Sequence, residues 1–312
     1  MMASLEISIT EKSPALKRHQ RMPDFMIIGA AKSGTTSLAA RLSKHRQIFM
    51  GPKKEYDFFS HDEIFLQGPD FYSRIFKNAK NNQLCMDAST SYTRMPQYPD
   101  TAERIYRYCP DAKFIYMMRH PVDRAYSHYI HRFTKELYPG RPFDKTFEEH
   151  VETDPVCLDS SDYKLQLESF FKYFPVESFF FVFTHQYSVE EGMILSNLFE
   201  FIGIKSDTEV FSHRSLHKNR FKDFRETRVR KELTDKIKSN HKMANTAYLL
   251  PKRMRSSLYR LARKIGVGRK IEKGFTPPPM KRDTRLSLIE RYKPGNEWLA
   301  KLTGTDLSCW NE

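Results

Sequence analysis

The stretch that decides the fold is FMIIGAAKSGTTSLAARL, residues 25–42. It begins with a short run of β-forming apolar residues that stops at Gly29, passes through a turn of small residues, and enters an apolar helical pattern after Thr35. Strand, turn and helix in this order predict a βα unit. Such a turn directs backbone N–H groups and the positive end of a helix at an anion, so the stretch also predicts a phosphate-binding loop.

The lysine of this loop is displaced relative to the loop of nucleotide triphosphatases. Gly29 and Gly34 are spaced as in that loop, but there the lysine follows the second glycine, and here Lys32 precedes it. A lysine inside the turn can reach an oxygen shared between a bound phosphate and the group that it carries. Hydroxyl donors follow at the start of the helix, on Thr35, Thr36 and Ser37.

Apolar runs and helical patterns alternate along the rest of the chain. The runs lie at 84–86, 114–118 and 179–183, and the helical segments lie around 100–108, 122–133, 163–173, 190–202 and 284–303. This alternation predicts an α/β fold in three layers, with a central, mainly parallel sheet flanked by helices. Ligands of such sheets bind beyond the carboxyl ends of the strands, where the turn after Gly29 and the segment beginning at Arg119 would both lie.

The charge balance favours anionic partners. The 312 residues include 52 Lys plus Arg against 38 Asp plus Glu, a net charge of +14, and 39% are hydrophobic, which is typical of a globular protein. Residues 214–273 alone hold 20 basic and 5 acidic residues. We expect a flexible arm at residues 1–23 and a single domain at 24–312, with a basic helical segment at about 205–272 near the acceptor site.

Several classes of protein are not expected. The first residues lack an apolar stretch of signal-peptide length, and nowhere are there roughly 18 consecutive apolar residues, so we expect a soluble, cytoplasmic protein without stable membrane insertion. No metal site is expected, because the cysteines are far apart and lack a nearby histidine at metal-ligand spacing. We expect free, buried thiols at Cys85, Cys109, Cys157 and Cys309.

Two further motifs indicate a chemical site. In FIYMMRHPVDRAYSHYIHRF, residues 114–133, an apolar strand leads into Arg119, and Ser127 follows about two helical turns later, so both side chains can converge on one phosphate. In PKKEYDFFS, residues 52–60, Glu55 is either a catalytic base beside a desolvated pocket or a surface partner of Lys53 or Lys54.

The motifs FMIIGAAKSGTTSLAARL, PKKEYDFF and MMRHPVDRAYSHY, in this order, resemble the sulfotransferases that use 3'-phosphoadenosine 5'-phosphosulfate (PAPS). The nearest branch contains the heparan sulfate sulfotransferases and their bacterial relatives. The resemblance implies a P-loop-like fold, PAPS as donor and 3'-phosphoadenosine 5'-phosphate (PAP) as product. No metal is expected to take part, because lysine and backbone dipoles would neutralise the charge. It implies a 5'-phosphosulfate site made by Lys32, Ser33, Gly34, Thr35, Thr36 and Ser37.

The same resemblance assigns the remaining roles. Lys32 would neutralise the leaving oxygen, and Glu55 would be the catalytic base. Apart from the resemblance, His61 and Asp87 are the next candidates should the base not be Glu55. Arg119 and Ser127 would hold the 3'-phosphate. The stretch EKGFTPPP, residues 272–279, is similar to a late Lys-Gly loop of the family and would add Lys273 and Gly274 to the nucleotide site.

Two positions depart from the family pattern. Asp57 stands where a histidine often follows the glutamate, and Ala88 stands where the glycan enzymes carry a substrate-binding lysine. We therefore expect a soluble small-molecule acceptor, with a glycan as the alternative. More distant alternatives are a P-loop kinase or triphosphatase and a basic nucleic-acid-binding protein. Neither a nucleic-acid partner nor a particular oligomeric state is predicted.

Overall fold

A computed structural model describes residues 20–136, 145–206 and 277–312. Within these ranges five strands form one sheet, in the order β2-β3-β1-β4-β5, and every pairing is parallel. The predicted α/β fold with a parallel central sheet is confirmed. The second strand was not predicted, because three residues are too few to give a periodic signal. The strands are β1 (Phe25–Gly29), β2 (Ile48–Met50), β3 (Leu84–Ala88), β4 (Lys113–Met118) and β5 (Phe179–Phe183).

Helices connect and cover the strands. Every helical segment that the sequence predicted within the described ranges is present, and the last of them extends over 22 residues. In chain order the α-helices are α1 (Thr35–Leu42), α2 (Asp62–Phe65), α3 (Gly68–Ser73), α4 (Thr101–Tyr108), α5 (Pro121–Glu136), α6 (Phe147–Thr153), α7 (Val156–Asp159), α8 (Tyr163–Phe170), α9 (Thr184–Tyr187), α10 (Glu191–Ile202) and α11 (Arg282–Thr303). Short 3-10 helices lie at Arg74–Phe76, Thr90–Thr93, Val176–Ser178 and Ser308–Asn311.

The sheet is buried on both faces, because side chains of a strand alternate between them. Along β1, Met26 and Ile28 enter one hydrophobic cluster, which α4, α8 and α11 cover. Phe25 and Ile27 enter the other cluster, which α1 and α10 cover. The three-layer arrangement therefore follows from continuous apolar runs that have no polar face to expose.

The chain divides into two compact units. Of the described residues, the first unit contains 20–129, 147–206 and 280–312, and it includes the whole sheet. The second unit consists of 130–146 and 217–279 and lies almost entirely outside the described residues. The single domain at 24–312 and the basic segment at about 205–272 therefore stay predictions.

The end of the predicted N-terminal arm is fixed to the first unit. Residues 1–19 lie outside the described part of the chain, but Arg21 donates hydrogen bonds to the carbonyls of Ala79 (3.2 Å), Lys80 (2.9 Å) and Gln83 (2.6 Å). Any flexible arm therefore ends before residue 21.

The four cysteines are free thiols, as predicted, but not all are buried. Cys85, Cys109 and Cys157 are buried, whereas Cys309 is exposed. The prediction of burial is wrong for Cys309 because this residue lies on the outer side of the terminal 3-10 helix, whose buried anchor is Trp310. Among the helices of the described ranges, none combines the length and the apolar character needed to cross a membrane.

Candidate active site

The candidate site lies where the carboxyl ends of the strands meet. β1 is central, and the chain crosses from β3 on one side of it to β4 on the other. Open α/β sheets bind their ligands at such a reversal of strand order, beyond the carboxyl ends of the strands, and we call this region beyond β1 the crevice. The segments that follow β1, β3, β4 and β5 all reach this edge.

The turn after β1 has the conformation that an anion-binding loop requires. Lys32 has φ 74° and Gly34 has φ 100°, both in the left-handed region, and α1 starts at the next residue, Thr35. Left-handed residues turn successive N–H groups toward one side, which creates an anion-binding concavity. Gly34 is needed for its φ and for close packing, since a Cβ there would lie 3.0 Å from the Cε of Met117.

Ser33 provides a direct test of whether this turn fits a phosphate or sulfate group. Its side chain is 1% exposed, and its hydroxyl, which lies near the Tyr163 hydroxyl, makes no hydrogen bond within the usual distance and angle limits among the described residues. Buried hydroxyls without a partner are rare in proteins because losing the bond to water is costly. An anion held in the turn would satisfy this hydroxyl, so the residues present fit the predicted ligand.

A buried arginine, Arg124, holds the turn after β1 through a hydrogen bond. Arg124 is 0% exposed, and its Nη1 donates to the carbonyl of Ala31 at 3.3 Å. Its Nε donates to Ser161 at 2.6 Å, and its Nη2 contacts the carbonyl of Cys157. Arg124 therefore fixes the turn relative to α5 and to the segment around α7. The sequence motif contained this residue, but nothing in it distinguished a buried structural arginine from a ligand-binding one.

Thr184, the first residue after β5, holds the other side of the turn. Its hydroxyl lies 3.0 Å from the carbonyl of Ser33 and 2.8 Å from that of Met118. It therefore connects the turn to the end of β4. The sequence analysis did not select it, although its place directly after an apolar strand is the signal that could have found it.

Glu55, the candidate base, is anchored to the end of β3. Its backbone N–H donates to the carbonyl of Ala88 at 3.1 Å, and its Oε2 accepts from the N–H (2.7 Å) and the hydroxyl (3.1 Å) of Thr90. Lys54 pairs with the Oε1 atom. Glu55 has φ 64°, a strained value for this residue type that these contacts maintain. The pairing with Lys54 is present, and the role of Glu55 as catalytic base stays a prediction.

Three consecutive hydroxyls hold three different carboxylates beside this edge. Ser89 donates to Asp87 at 2.8 Å, Thr90 donates to Glu55, and Ser91 donates to Asp57 at 2.5 Å. The Ser89 oxygen also accepts from the N–H groups of Tyr56 (2.9 Å) and Asp57 (3.1 Å). The segment after β3 therefore fixes both the backbone and the acids of the Glu55 loop.

The two alternative bases, Asp87 and His61, are hydrogen-bonded to other side chains of the protein. Asp87 is fully buried and accepts hydrogen bonds from the hydroxyls of Tyr72 (2.5 Å) and Tyr92 (2.6 Å). Burial raises the pKa of its carboxyl group, and the two tyrosine bonds lower it. The interpretation of Asp87 as a reserve base is therefore unsupported, because no acceptor can contact it. The ring of His61 bonds to Ser60 (2.9 Å) and to Tyr98 (3.0 Å).

Arg119 and Ser127 lie on the β4 side of the crevice. The backbone of Arg119 is fixed by the Tyr163 hydroxyl, which accepts from its N–H (3.1 Å) and donates to its carbonyl (2.6 Å). Its side chain is 38% exposed, and Nη2 lies 3.9 Å from Oδ2 of Asp123. Ser127 is half-buried on α5, as the motif predicted. The proposed ligand roles of both residues stay predictions.

The structure does not describe every part of the predicted site. Lys273 and Gly274 fall outside the described residues, as does the basic stretch 214–273. Within the described ranges, His, Cys, Asp and Glu form no group of three or more that could hold a metal ion.

Comparison with known proteins identifies the family. The family model described as "Sulfotransferase domain" matches residues 22–249, which is more than half of the chain. The chain belongs to the sulfotransferase family. The resemblance that the three motifs indicated is thereby confirmed, and the family match includes every described site residue discussed so far.

Relatives and solved structures agree with this assignment. The chain is 29% identical over 171 residues to mouse heparan sulfate glucosamine 3-O-sulfotransferase 5, covering 52% of this chain and 48% of that protein. It is 27% identical over 206 residues to human bifunctional heparan sulfate N-deacetylase/N-sulfotransferase 3, covering 60% of this chain and 23% of that protein. The chain thus spans about half or less of the length of these relatives.

The fold has a close counterpart among solved structures. A sulfotransferase from Alicyclobacillus acidocaldarius aligns with a TM-score of 0.62 at 24% sequence identity, over 94% of this chain and 100% of that one. This similarity supports the P-loop-like sulfotransferase fold.

Proposed function

We propose that this sulfotransferase moves a sulfuryl group from PAPS to a hydroxyl or amine of an acceptor. The observation that carries the proposal is the placement of Lys32 and Glu55. Lys32 lies in a left-handed turn after β1, and Glu55 is tied to the end of the neighbouring strand β3. A cation for the leaving group and a base for the acceptor thus belong to the same edge of the sheet.

The donor is a mixed anhydride of phosphate and sulfate, which supplies an activated sulfuryl group and a nucleotide phosphate as leaving group. The turn after β1 binds and orients this group through its N–H groups, the hydroxyl of Ser33 and the start of α1. Lys32 places its charge where negative charge develops on the leaving oxygen. By analogy with phosphoryl transfer, positioning and charge stabilisation supply most of the catalysis.

Glu55 takes the proton of the acceptor. Each oxygen of its carboxylate has two lone pairs; the N–H and the hydroxyl of Thr90 use both on Oε2, whereas Oε1 bonds to Lys54 and keeps one for the proton of the acceptor. The Thr90 contacts hold the carboxylate in one orientation, which general-base catalysis requires. Arg119, Ser127, Lys273 and Gly274 select the 3'-phosphorylated nucleotide.

The acceptor is proposed to be a soluble small molecule. Asp57 presents a half-buried carboxylate two residues from Glu55, and the apolar Ala88 is buried at the end of β3. Neither residue offers a positive charge to a sulfated polysaccharide. A glycan acceptor is the alternative, because the relatives named above are enzymes of heparan sulfate. A cytoplasmic location stays a prediction from the sequence.

The experiment that tests the function is direct. The purified protein is incubated with PAPS labelled in its sulfate and a panel of phenols, alcohols, hydroxylated alkaloids and heparan sulfate chains. The expected result is PAP release coupled to labelling of one class of acceptor. Hydrolysis of ATP with magnesium, in the absence of any sulfate transfer, would contradict the proposal and favour a P-loop triphosphatase.

A further inference from the structure

Two arginines from distant parts of the chain share one carboxylate at the start of α5. Arg285, on α11, places Nη1 2.8 Å from Oδ1 of Asp123, and Arg119 places Nη2 3.9 Å from Oδ2 of the same residue. All three side chains are partly exposed, at 38% or 39%. Two guanidinium groups against one carboxylate leave an excess of one positive charge at this point.

His120 lies within the same group of charges. The charges that act on its ring are those of Asp123, Arg285 and Arg119. Both ring nitrogens are buried, and neither has a hydrogen-bond partner among the described residues. Trp310, from the C-terminal 3-10 helix, packs near the ring with 6.4 Å between centroids. Burial lowers the pKa of His120, so the ring is neutral and one nitrogen is a donor.

We propose that Arg285 and His120 join Arg119 in binding the 3'-phosphate of the nucleotide, an inference that rests on the proposed function. The site so formed takes a terminal phosphate dianion. Arg285 lies beyond residue 249, where the family match ends, so the match assigns no role to it. The C-terminal helix α11 thereby becomes part of the nucleotide site.

The geometry leaves the necessary donors available. A separation of 3.9 Å exceeds hydrogen-bond distance, so Asp123 does not occupy the donors of Arg119. Arginine binds phosphate through two parallel N–H groups, and a dianion competes strongly with a single exposed carboxylate for them. The protonated ring nitrogen of His120 would gain the partner that it lacks. The exposed ion pair between Arg285 and Asp123 does not by itself explain the buried ring nitrogens of His120, because an exposed pair does not require a neighbouring polar group to be buried without a partner.

Calorimetric titration with PAP and with adenosine 5'-phosphate tests the proposal. Arg285→Ala is expected to weaken PAP binding about 10- to 100-fold, the usual effect of losing a charge-assisted hydrogen bond, and to leave adenosine 5'-phosphate binding unchanged. The matched control is Arg282→Ala, which removes an exposed arginine from the first position of the same helix. It should change neither affinity. His120→Phe should weaken PAP alone, by about 5-fold.

A second pair of variants separates phosphate binding from a structural role. Arg285→Lys keeps the positive charge but not the two-pronged donor geometry, and it should weaken PAP selectively by a smaller factor than Arg285→Ala. Asp123→Asn removes the ion pair but leaves both arginines, and PAP affinity should be retained or increased. Thermal melts establish that each variant is folded.

Results that would overturn this inference differ from the result that would refute the proposed function. If Arg285→Ala, or Arg285→Lys should the alanine variant not fold, binds PAP as well as the wild-type protein, the inference is overturned. Equal weakening of PAP by Arg285→Ala and Asp123→Asn would overturn it too, since the pair would then be merely structural. Failure of the wild-type protein to bind PAP would instead refute the proposed function.

Discussion

The β1 side and the β3 side of the crevice are built with opposite charges and different supports. On the β1 side, a left-handed turn that contains Lys32 leads into the start of α1, and Arg124 and Thr184 hold the turn through its carbonyls. On the β3 side, hydroxyls of the segment after β3 hold the carboxylates of Glu55 and Asp57. Under the proposed function, the β1 side would bind the anionic donor before the reaction, whereas the β3 side would receive the proton of the acceptor during it.

The largest effect is expected from Glu55→Gln. Glutamine keeps the shape of the side chain but cannot take a proton, so kcat should fall about 10²- to 10⁴-fold. PAP affinity should stay the same, because the change is confined to the β3 side. Steady-state kinetics and calorimetry measure the two quantities, with Glu63→Gln, an exposed acid on α2, as control. Normal turnover would place the base elsewhere.

Lys32→Ala should have the next largest effect, and it should change both the rate of the reaction and the binding of the donor. Loss of the charge beside the leaving oxygen should lower kcat about 10²- to 10³-fold, as removal of a transition-state stabiliser usually does. Unlike Glu55→Gln, this variant should also weaken PAPS binding, which a rise in KM would show. Lys44→Ala, at an exposed lysine just after α1, serves as control. A variant with near-full kcat would remove the leaving-group role.

Arg119→Ala should reduce nucleotide affinity without much effect on chemistry. Loss of a guanidinium from the 3'-phosphate should weaken PAP about 10- to 100-fold, and adenosine 5'-phosphate much less. Competition binding with the two nucleotides measures the ratio. If both affinities fall equally, Arg119 contributes general positive charge, and the β4 side lacks the expected selectivity.

The smallest effect is expected from Thr184→Val, which keeps the side-chain shape but removes a hydroxyl that supports the turn. Loss of one hydrogen bond should lower the free energy of unfolding by about 1 kcal/mol. A looser turn should raise KM for PAPS with kcat nearly unchanged. Urea unfolding and kinetics check both expectations. A fall in kcat equal to that of Lys32→Ala would show that Thr184 acts in the reaction itself.

The sequence predicted the features that depend on neighbouring residues. The βα unit at 25–42 and the strand leading into Arg119 are each written in a continuous stretch, and both are present. The supports were not predictable in this way. Thr90 and Ser91 bind acids 35 and 34 positions away, and Arg124 reaches Ala31 across 93 positions. Such partners are set by the order of the strands, which no local pattern contains.

The same reason applies to Asp87, which the sequence analysis names as a next candidate for the base. Alternation along β3 directs its side chain into the core beside Tyr72 and Tyr92, which the sequence around it does not reveal. Strand register decides which face a residue occupies, and one position is enough to exchange an exposed acid for a buried one.

The 3-10 helix at Thr90–Thr93 connects the two sides of the crevice. Thr90 and Ser91 hold Glu55 and Asp57, and the hydroxyl of Thr93 donates to the carbonyl of Ile28 in β1 at 2.8 Å. A side chain at Gly29 would clash with this threonine. A redesign of the protein for a new acceptor should therefore keep the four residues Thr90–Thr93 and vary the residues around them. Loosening this segment would move both sides of the crevice, and donor and acceptor would lose their alignment together.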